Sequence, residues 1–379
     1  MKIAFFSTMT ALPWGGSEVL WAEAASQLIE KGHDISINFK FWEQPSAKLL
    51  ELQKQGAKLH LREKPLSLEE HRKKNWRRRL RLPQMPNPDQ LWLSQEKPDL
   101  LIVTFGHHLD WHPMLAQIQQ SGIPYLINLQ VAEANSHLED RKWSDLRSFY
   151  ASAVKRFFLC EENKRIMEGL LLQKMQSYRI VDNPTKVEFD QAPIEFPDTE
   201  DFRLACIGRI QFASKGQDLL VDVLKQPKWK NRNLHITLYG EDQGNVEQLK
   251  ARISAEGLEK HFSFAGYEND PRKIYEKHAG LILTSRFEGL PMVTVEAMRL
   301  GRIAIVTRCG RNGELIDDGK TGFLAQIATV SAVDNALEKA WEQRNQWRTM
   351  GVEAHKRIRD RYSRSPIEDF VQSILETVN

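Results

Sequence analysis

Short apolar runs of strand length recur along this chain in two series, separated by stretches with helical periodicity. That alternation confines the fold to parallel sheets with helices packed on their faces. The first series is MKIAFFST, DISINFKF, KLHLR near Leu59, DLLIVTF at 99–105, YLINLQV at 125–131 and RFFLC at 156–160. The second is FRLACIG, LHITLYG, FSFAGY, GLILTS, RIAIVT and GFLAQ. Between them lies NPTKVEFDQAPIEFPDTED, a proline- and acid-rich stretch that sustains neither period and reads as the interdomain connection. At 379 residues the chain exceeds one ordinary core, and about 150 residues per domain predicts two. The final segment, with Trp341, Trp347 and IEDFVQSILETV, reads as helices.

Composition narrows the functional classes. A formal charge of +3 does not announce nucleic-acid binding, so any basic surface must come from local clustering. Cys160, Cys206 and Cys309 are far apart and odd in number, without zinc or disulfide spacing, which suits a reducing compartment. Ile3 to Phe6 is followed by no cleavage region, and no run reaches the roughly 18 apolar residues of a membrane span. A soluble or peripheral, cytoplasmic protein is expected. No Gly-x-Gly-x-x-Gly follows the first strand, so a dehydrogenase-like dinucleotide fold loses support.

The densest motif runs from Thr284 to Leu324, where Glu288 and Glu296 stand eight residues apart across a strand-to-helix switch. LILT reads as a buried strand; Pro291 opens a helix that closes at Gly301. A lone pair of this kind is commonly a turn cap and a solvated helix residue. Here the neighbours add weight, because the turn after a parallel strand is where ligands gather and a helix N-terminus favours anions. The block resembles the retaining glycosyltransferases of family 4, the glycosyl transferases group 1, whose signature is S-x-x-E-G-x-P with this glutamate pair, a glycine-bearing loop and a t-G-f-l strand. Ser285, Glu288, Gly289, Pro291, Glu296, Ala297, Gly301, Glu314, Gly319, Thr321 and Gly322 stand in that pattern.

The resemblance implies the GT-B architecture, an α/β fold of two Rossmann-like doubly wound domains facing a central cleft. Residues 1–185 would form the acceptor-side domain, completed by a C-terminal helix at about 360–379, and residues 200–358 the nucleotide-sugar donor domain. It assigns Glu296 to the ribose hydroxyls and sets Glu288 against the donor sugar. The backbone from Gly289 through Leu290, Pro291 and Met292 to Val293 would line the sugar and phosphates, and the loop at Tyr267 and Glu268 would take the base.

In GRIQFASKG, strand FRLACIG delivers Gly208 and Arg209 to a loop, and Lys215-Gly216 precedes an amphipathic helix. A solvated loop is the default reading of such a segment. It also resembles the family's G-R-x-x-x-x-K-G element, and two cations are what a departing diphosphate needs in a water-poor site. Gly15-Gly16-Ser17-Glu18 matches the family's G-G-x-E, where glycine lets backbone approach a phosphate, although glycine pairs are also common turn formers. His107 and His108 follow a strand C-terminus and either contact a sugar or acceptor or organise a loop around Asp110, Trp111 and His112. Where many family members carry a histidine after the next strand, this chain has Gln130, which bonds a hydroxyl but moves no proton.

No Asp-x-Asp occurs, so no metal or other cofactor is expected, with Arg209 and Lys215 supplying the charge. In HRKKNWRRRLRLPQMP, Arg72, Lys73, Lys74, Arg77, Arg78, Arg79 and Arg81 interleave with Trp76, Leu80 and Leu82. A charge run is usually a solvated face, but cations mixed with Trp and Leu also suit contact with an anionic membrane. The partners expected are therefore a UDP- or GDP-sugar donor and a glycan or lipid-linked acceptor at the inner membrane face, with no nucleic acid. The rival readings are a non-catalytic nucleotide-sugar-binding scaffold and another GT-B enzyme such as a sugar phosphorylase.

Overall fold

The computed structural model describes residues 1–63, 76, 88–135, 137–198 and 202–377. The chain forms two compact units: Met1–Leu159, Asn163–Val181 and Pro366–Asn379 make the first, and Cys160–Glu162 with Asp182–Ser365 the second.

The first unit is built on a seven-stranded sheet of β1 (Lys2–Ser7), β2 (Asp34–Lys40), β3 (Lys58–Arg62), β4 (Leu100–Phe105), β5 (Tyr125–Leu129), β6 (Lys155–Phe158) and β7 (Tyr178–Ile180). Its order is β3-β2-β1-β4-β5-β6-β7, with every pairing parallel. The uninterrupted apolar runs are explained by this: β4 and β5 are buried along their whole length because helices cover both faces. On one face Phe6, Val103, Phe105 and Ile127 pack with Trp92, Leu115 and Phe149. The last helix, Pro366–Leu375, packs on the helix Gly16–Glu30 and sets Phe370 edge-on to Phe157 with ring centroids 4.9 Å apart.

The second unit repeats the plan with β8 (Phe202–Ile207), β9 (Leu234–Tyr239), β10 (Phe262–Gly266), β11 (Gly280–Leu283), β12 (Ile303–Thr307) and β13 (Gly322–Ala325). The order is β10-β9-β8-β11-β12-β13, again parallel throughout. Its core gathers Leu204, Ile236, Ile282, Ile305 and Phe323 with the buried indoles of Trp229 and Trp347. All the strands expected from the apolar runs form. The additional strand, β7, is three residues at the sheet edge.

Each sheet reverses its winding once, between β1 and β4 in the first unit and between β8 and β11 in the second. Connections leave such neighbouring strands toward opposite faces, and the crevice opened at their C-terminal ends is where open α/β sheets bind ligands. Gly15, His107, Arg209 and Glu288 follow these four strands, whereas Gln130 follows β5 and Tyr267 follows β10.

Candidate functional site

In the second unit the loop after β8 carries Gly208 and Arg209 into a one-turn helix, Phe212–Lys215, that ends at Gly216 with φ of +64°. A Cβ at Gly216 would lie 2.2 Å from the Thr284 carbonyl, so only glycine lets these backbones meet. The Thr284 hydroxyl donates to the Gly216 carbonyl at 2.7 Å, and the Arg286 amide donates to the Ser214 carbonyl at 2.8 Å. Backbone contact thus fixes the cation-bearing loop against the glutamate-bearing turn.

That closure brings Lys215 and Glu288 together: Nζ donates to Oε1 at 2.5 Å, and the Ser285 hydroxyl donates to the same oxygen at 2.7 Å. Glu288 is 9% exposed and Ser285 fully buried. The Thr307 hydroxyl holds the Ser285 carbonyl at 2.6 Å, and the Arg311 amide holds that of Gly289 at 2.9 Å. Gly310, at φ of +55°, completes this packing, since a Cβ there would sit 2.4 Å from the Gly289 oxygen. Arg209 is exposed and makes no side-chain hydrogen bond or ion pair among the described residues. The two expected diphosphate cations therefore differ: one is engaged by a carboxylate and the other is available to an anion.

The helix Met292–Arg299 starts after Pro291, whose carbonyl takes the Thr294 amide at 2.9 Å, leaving the amides of Met292 and Val293 ahead of the helical ladder. It carries Glu296 inward, to 5% exposure, where burial pushes the carboxyl up to about 7 against the opposing pull of the Lys186 amide and Arg299. The Lys186 amide donates to Glu296 Oε1 at 3.1 Å. The Lys186 ammonium reaches on to Asn269 Oδ1 at 2.8 Å and the Tyr267 hydroxyl at 3.3 Å, lying 5.4 Å from the centre of that ring. Tyr267 is 63% exposed, whereas the neighbouring Glu268 accepts from the Asp270 amide at 2.9 Å and so shapes the turn. Sequence reasoning did not single out Lys186. It lies in the proline-rich connection, and its part depends on a backbone amide that residue identity does not report.

In the first unit Gly15 caps the helix Gly16–Glu30 beside the end of β1. Glu18, in that helix, is fully buried and accepts from the hydroxyls of Ser7 and Ser17 and the indole of Trp21; burial pushes its carboxyl up. After β4, His107 and His108 lie with ring centroids 4.4 Å apart, and burial lowers both, His108 to about 3. The His108 Nδ1 accepts from the Glu133 amide at 3.2 Å, which places the ring proton on a buried Nε2 that meets no partner among the described residues. Asp110 accepts from the His107 amide at 2.9 Å, and burial raises it to about 6. Gln130, just past β5, is buried, with its amide nitrogen 3.4 Å from Asn128 Oδ1. Burial here keeps both imidazoles neutral and makes the Asp110 and Glu18 carboxyls harder to ionise.

The basic segment lies outside the described residues except for Trp76, which is exposed. No described helix is long and apolar enough to cross a membrane.

Comparison with known proteins places this geometry. The model of the family described as Glycosyl transferases group 1 matches residues 188–357. Mannosylfructose-phosphate synthase of Agrobacterium fabrum is 34% identical over 129 residues, 31% of this chain and 28% of that protein. Matches to curated relatives span about a quarter to two-fifths of those proteins' length. Among solved structures, Anabaena HepE in complex with UDP aligns over 100% of both chains with a TM-score of 0.75 and 17% identity. Sucrose-phosphate synthase from Thermosynechococcus elongatus covers 100% of this chain and 98% of its own, with a TM-score of 0.74 and 14% identity. The fold is the GT-B fold. The residues that match the glycosyl transferases group 1 model, 188–357, hold Arg209, Lys215, Glu288 and Glu296.

Proposed function

We propose that this chain is a retaining glycosyltransferase that moves a sugar from a UDP- or GDP-sugar to a glycan or lipid-linked acceptor without a metal. The observation that carries the reading is the Lys215–Glu288–Ser285 cluster at the second sheet's reversal point, with Arg209, unpaired among the described residues, after β8. Breaking the sugar–phosphate bond puts an electron pair on the diphosphate, and preorganised cations in a dry site stabilise that charge most. Arg209 offers a planar fork to phosphate oxygens; Lys215 offers a point charge that leaves Glu288 for the phosphate as donor enters. Glu288 is then released toward the sugar. The buried Glu296, once ionised, accepts from two ribose hydroxyls.

Support from relatives is consistent with this: the Anabaena protein is also described in complex with UDP-glucose. The absence of Asp-x-Asp in the sequence and the two cations after β8 support chemistry independent of metal. Retention follows from the family resemblance. The neutral imidazoles of His107 and His108 suit hydroxyl-rich acceptors, and the basic segment at Arg72–Arg81 suits a lipid-linked one.

The test is turnover of UDP-, GDP- and ADP-sugars against candidate acceptors, with the anomeric configuration of the product read by NMR. The reading expects transfer with retention, unchanged by chelator and independent of inorganic phosphate. Sugar release that requires phosphate would instead make the chain a phosphorylase. Nucleotide binding without turnover under any acceptor would make it a scaffold.

A further inference from the structure

Lys186 joins two parts of the second unit that the sequence alone leaves separate. Its amide holds Glu296, the group expected at the ribose, and its side chain ends on Tyr267, the aromatic expected beside the base. One residue therefore connects the group expected at the ribose to the aromatic expected beside the base. Arg299 fixes the flanking backbone by donating to the Thr185 hydroxyl at 2.7 Å and the Val187 carbonyl, so the position of Lys186 is set on both sides. The Lys186 and Tyr267 side chains remain exposed, and both meet Asn269 Oδ1, the tyrosine hydroxyl donating at 3.1 Å.

An ammonium is a donor with no acceptor capacity. Placed at the edge of a base that lies against Tyr267, it bonds the O4 of uracil or the O6 of guanine. Cytosine and adenine present an amino group at the same position, whose hydrogens face the ammonium and leave it unsatisfied. We propose that Lys186 makes the donor site selective for oxo-bearing nucleobases, uracil and guanine, over their amino counterparts, cytosine and adenine. Asn269 and Tyr267 hold the ammonium at that edge when the site is empty, and the base takes over one of its bonds. The proposal rests on the donor-site reading given above and adds to it a residue outside the 188–357 family segment.

The experiment is calorimetric binding of UDP, CDP, GDP and ADP to the full chain, to Lys186→Met and to Lys186→Arg. Methionine keeps the backbone amide on Glu296 and removes only the charge. Expected for the native protein is a preference for UDP over CDP and for GDP over ADP. Lys186→Met reduces each preference about tenfold, the size of one charge-assisted hydrogen bond, by weakening UDP and GDP while CDP and ADP hold. Lys186→Arg keeps the direction of both preferences. Equal weakening of all four nucleotides by Lys186→Met would show a lysine that only props Tyr267, and would overturn the proposal. So would unchanged ratios. Failure of all four to bind the native protein would overturn the donor-site reading itself, whereas binding that Glu296→Ala weakens uniformly keeps that reading whatever Lys186 does.

Discussion

The two sheets share a plan and differ at the same place, the C-terminal ends of the strands where the winding reverses. In the second unit that edge carries a formed ion pair, Lys215 meeting Glu288 at 2.5 Å, and Arg209 stands exposed in the same loop as Lys215. In the first unit burial keeps the imidazoles neutral, with His108 held down at about 3, and makes carboxyls harder to ionise, raising Asp110 to about 6 and Glu18 in the same direction. One backbone arrangement thus serves opposite chemistries, set by how much water reaches the side chains. A charged edge is suited to an anion such as a diphosphate. Neutral imidazoles offer directional hydrogen bonds to hydroxyls instead.

The sharpest way to break the comparison is to remove charge from the second edge alone. Lys215→Ala should lower kcat/KM for sugar transfer about 10²- to 10³-fold, the usual cost of losing one preorganised transition-state donor. A comparable loss from His108→Gln with donor concentration saturating would erase the contrast. Next in size, Gly216→Ala should cost about 3 kcal/mol by thermal or denaturant unfolding, because its Cβ meets the Thr284 carbonyl at 2.2 Å and its φ is +64°. Unchanged stability would mean that the two loops are not locked.

Glu296 gives a test by pH. The folded protein holds its carboxyl at about 7 against an ordinary 4.5, so it keeps a proton that the unfolded chain releases. Stability relative to Glu296→Gln should therefore fall as pH rises from 4.5 to 7 and then level off, by about 3 kcal/mol in total. Nucleotide affinity should move the other way, rising over that window as the carboxylate forms. A flat difference between the two proteins would contradict the buried placement. Smallest is Arg209→Gln, for which stability should stay within about 0.5 kcal/mol because the side chain is exposed and, among the described residues, unpaired. Its effect should appear as weaker, less salt-sensitive nucleotide binding.

These tests bear on residues of unequal legibility. The strands were readable because parallel strands buried on both faces need continuous apolar runs, as in Leu100–Phe105 and Ile303–Thr307. β7 was not, because Tyr178-Arg179-Ile180 is short, carries a charge and lies at an edge where one face tolerates water. Lys215 and Glu288 could be named, since glycine, strand ends and spacing mark their loops. Their ion pair could not, because it depends on the meeting of loops 73 residues apart. The buried arginines show the same limit. Arg302 is 1% exposed and donates to the carbonyls of Tyr275 and His278, but the bond partners that make such burial tolerable come from distant segments. Lys186 belongs with them.

Hydrogen exchange in the presence and absence of a UDP- or GDP-sugar measures the central claim directly, that the second unit's charged edge takes the anionic donor. The account predicts added protection in the amides of 208–217 and 285–297, reduced by Lys215→Ala and Glu296→Ala, with 106–112 of the first unit unchanged by nucleotide alone. Protection confined to 106–112, or protection of 285–297 that neither variant alters, would contradict it.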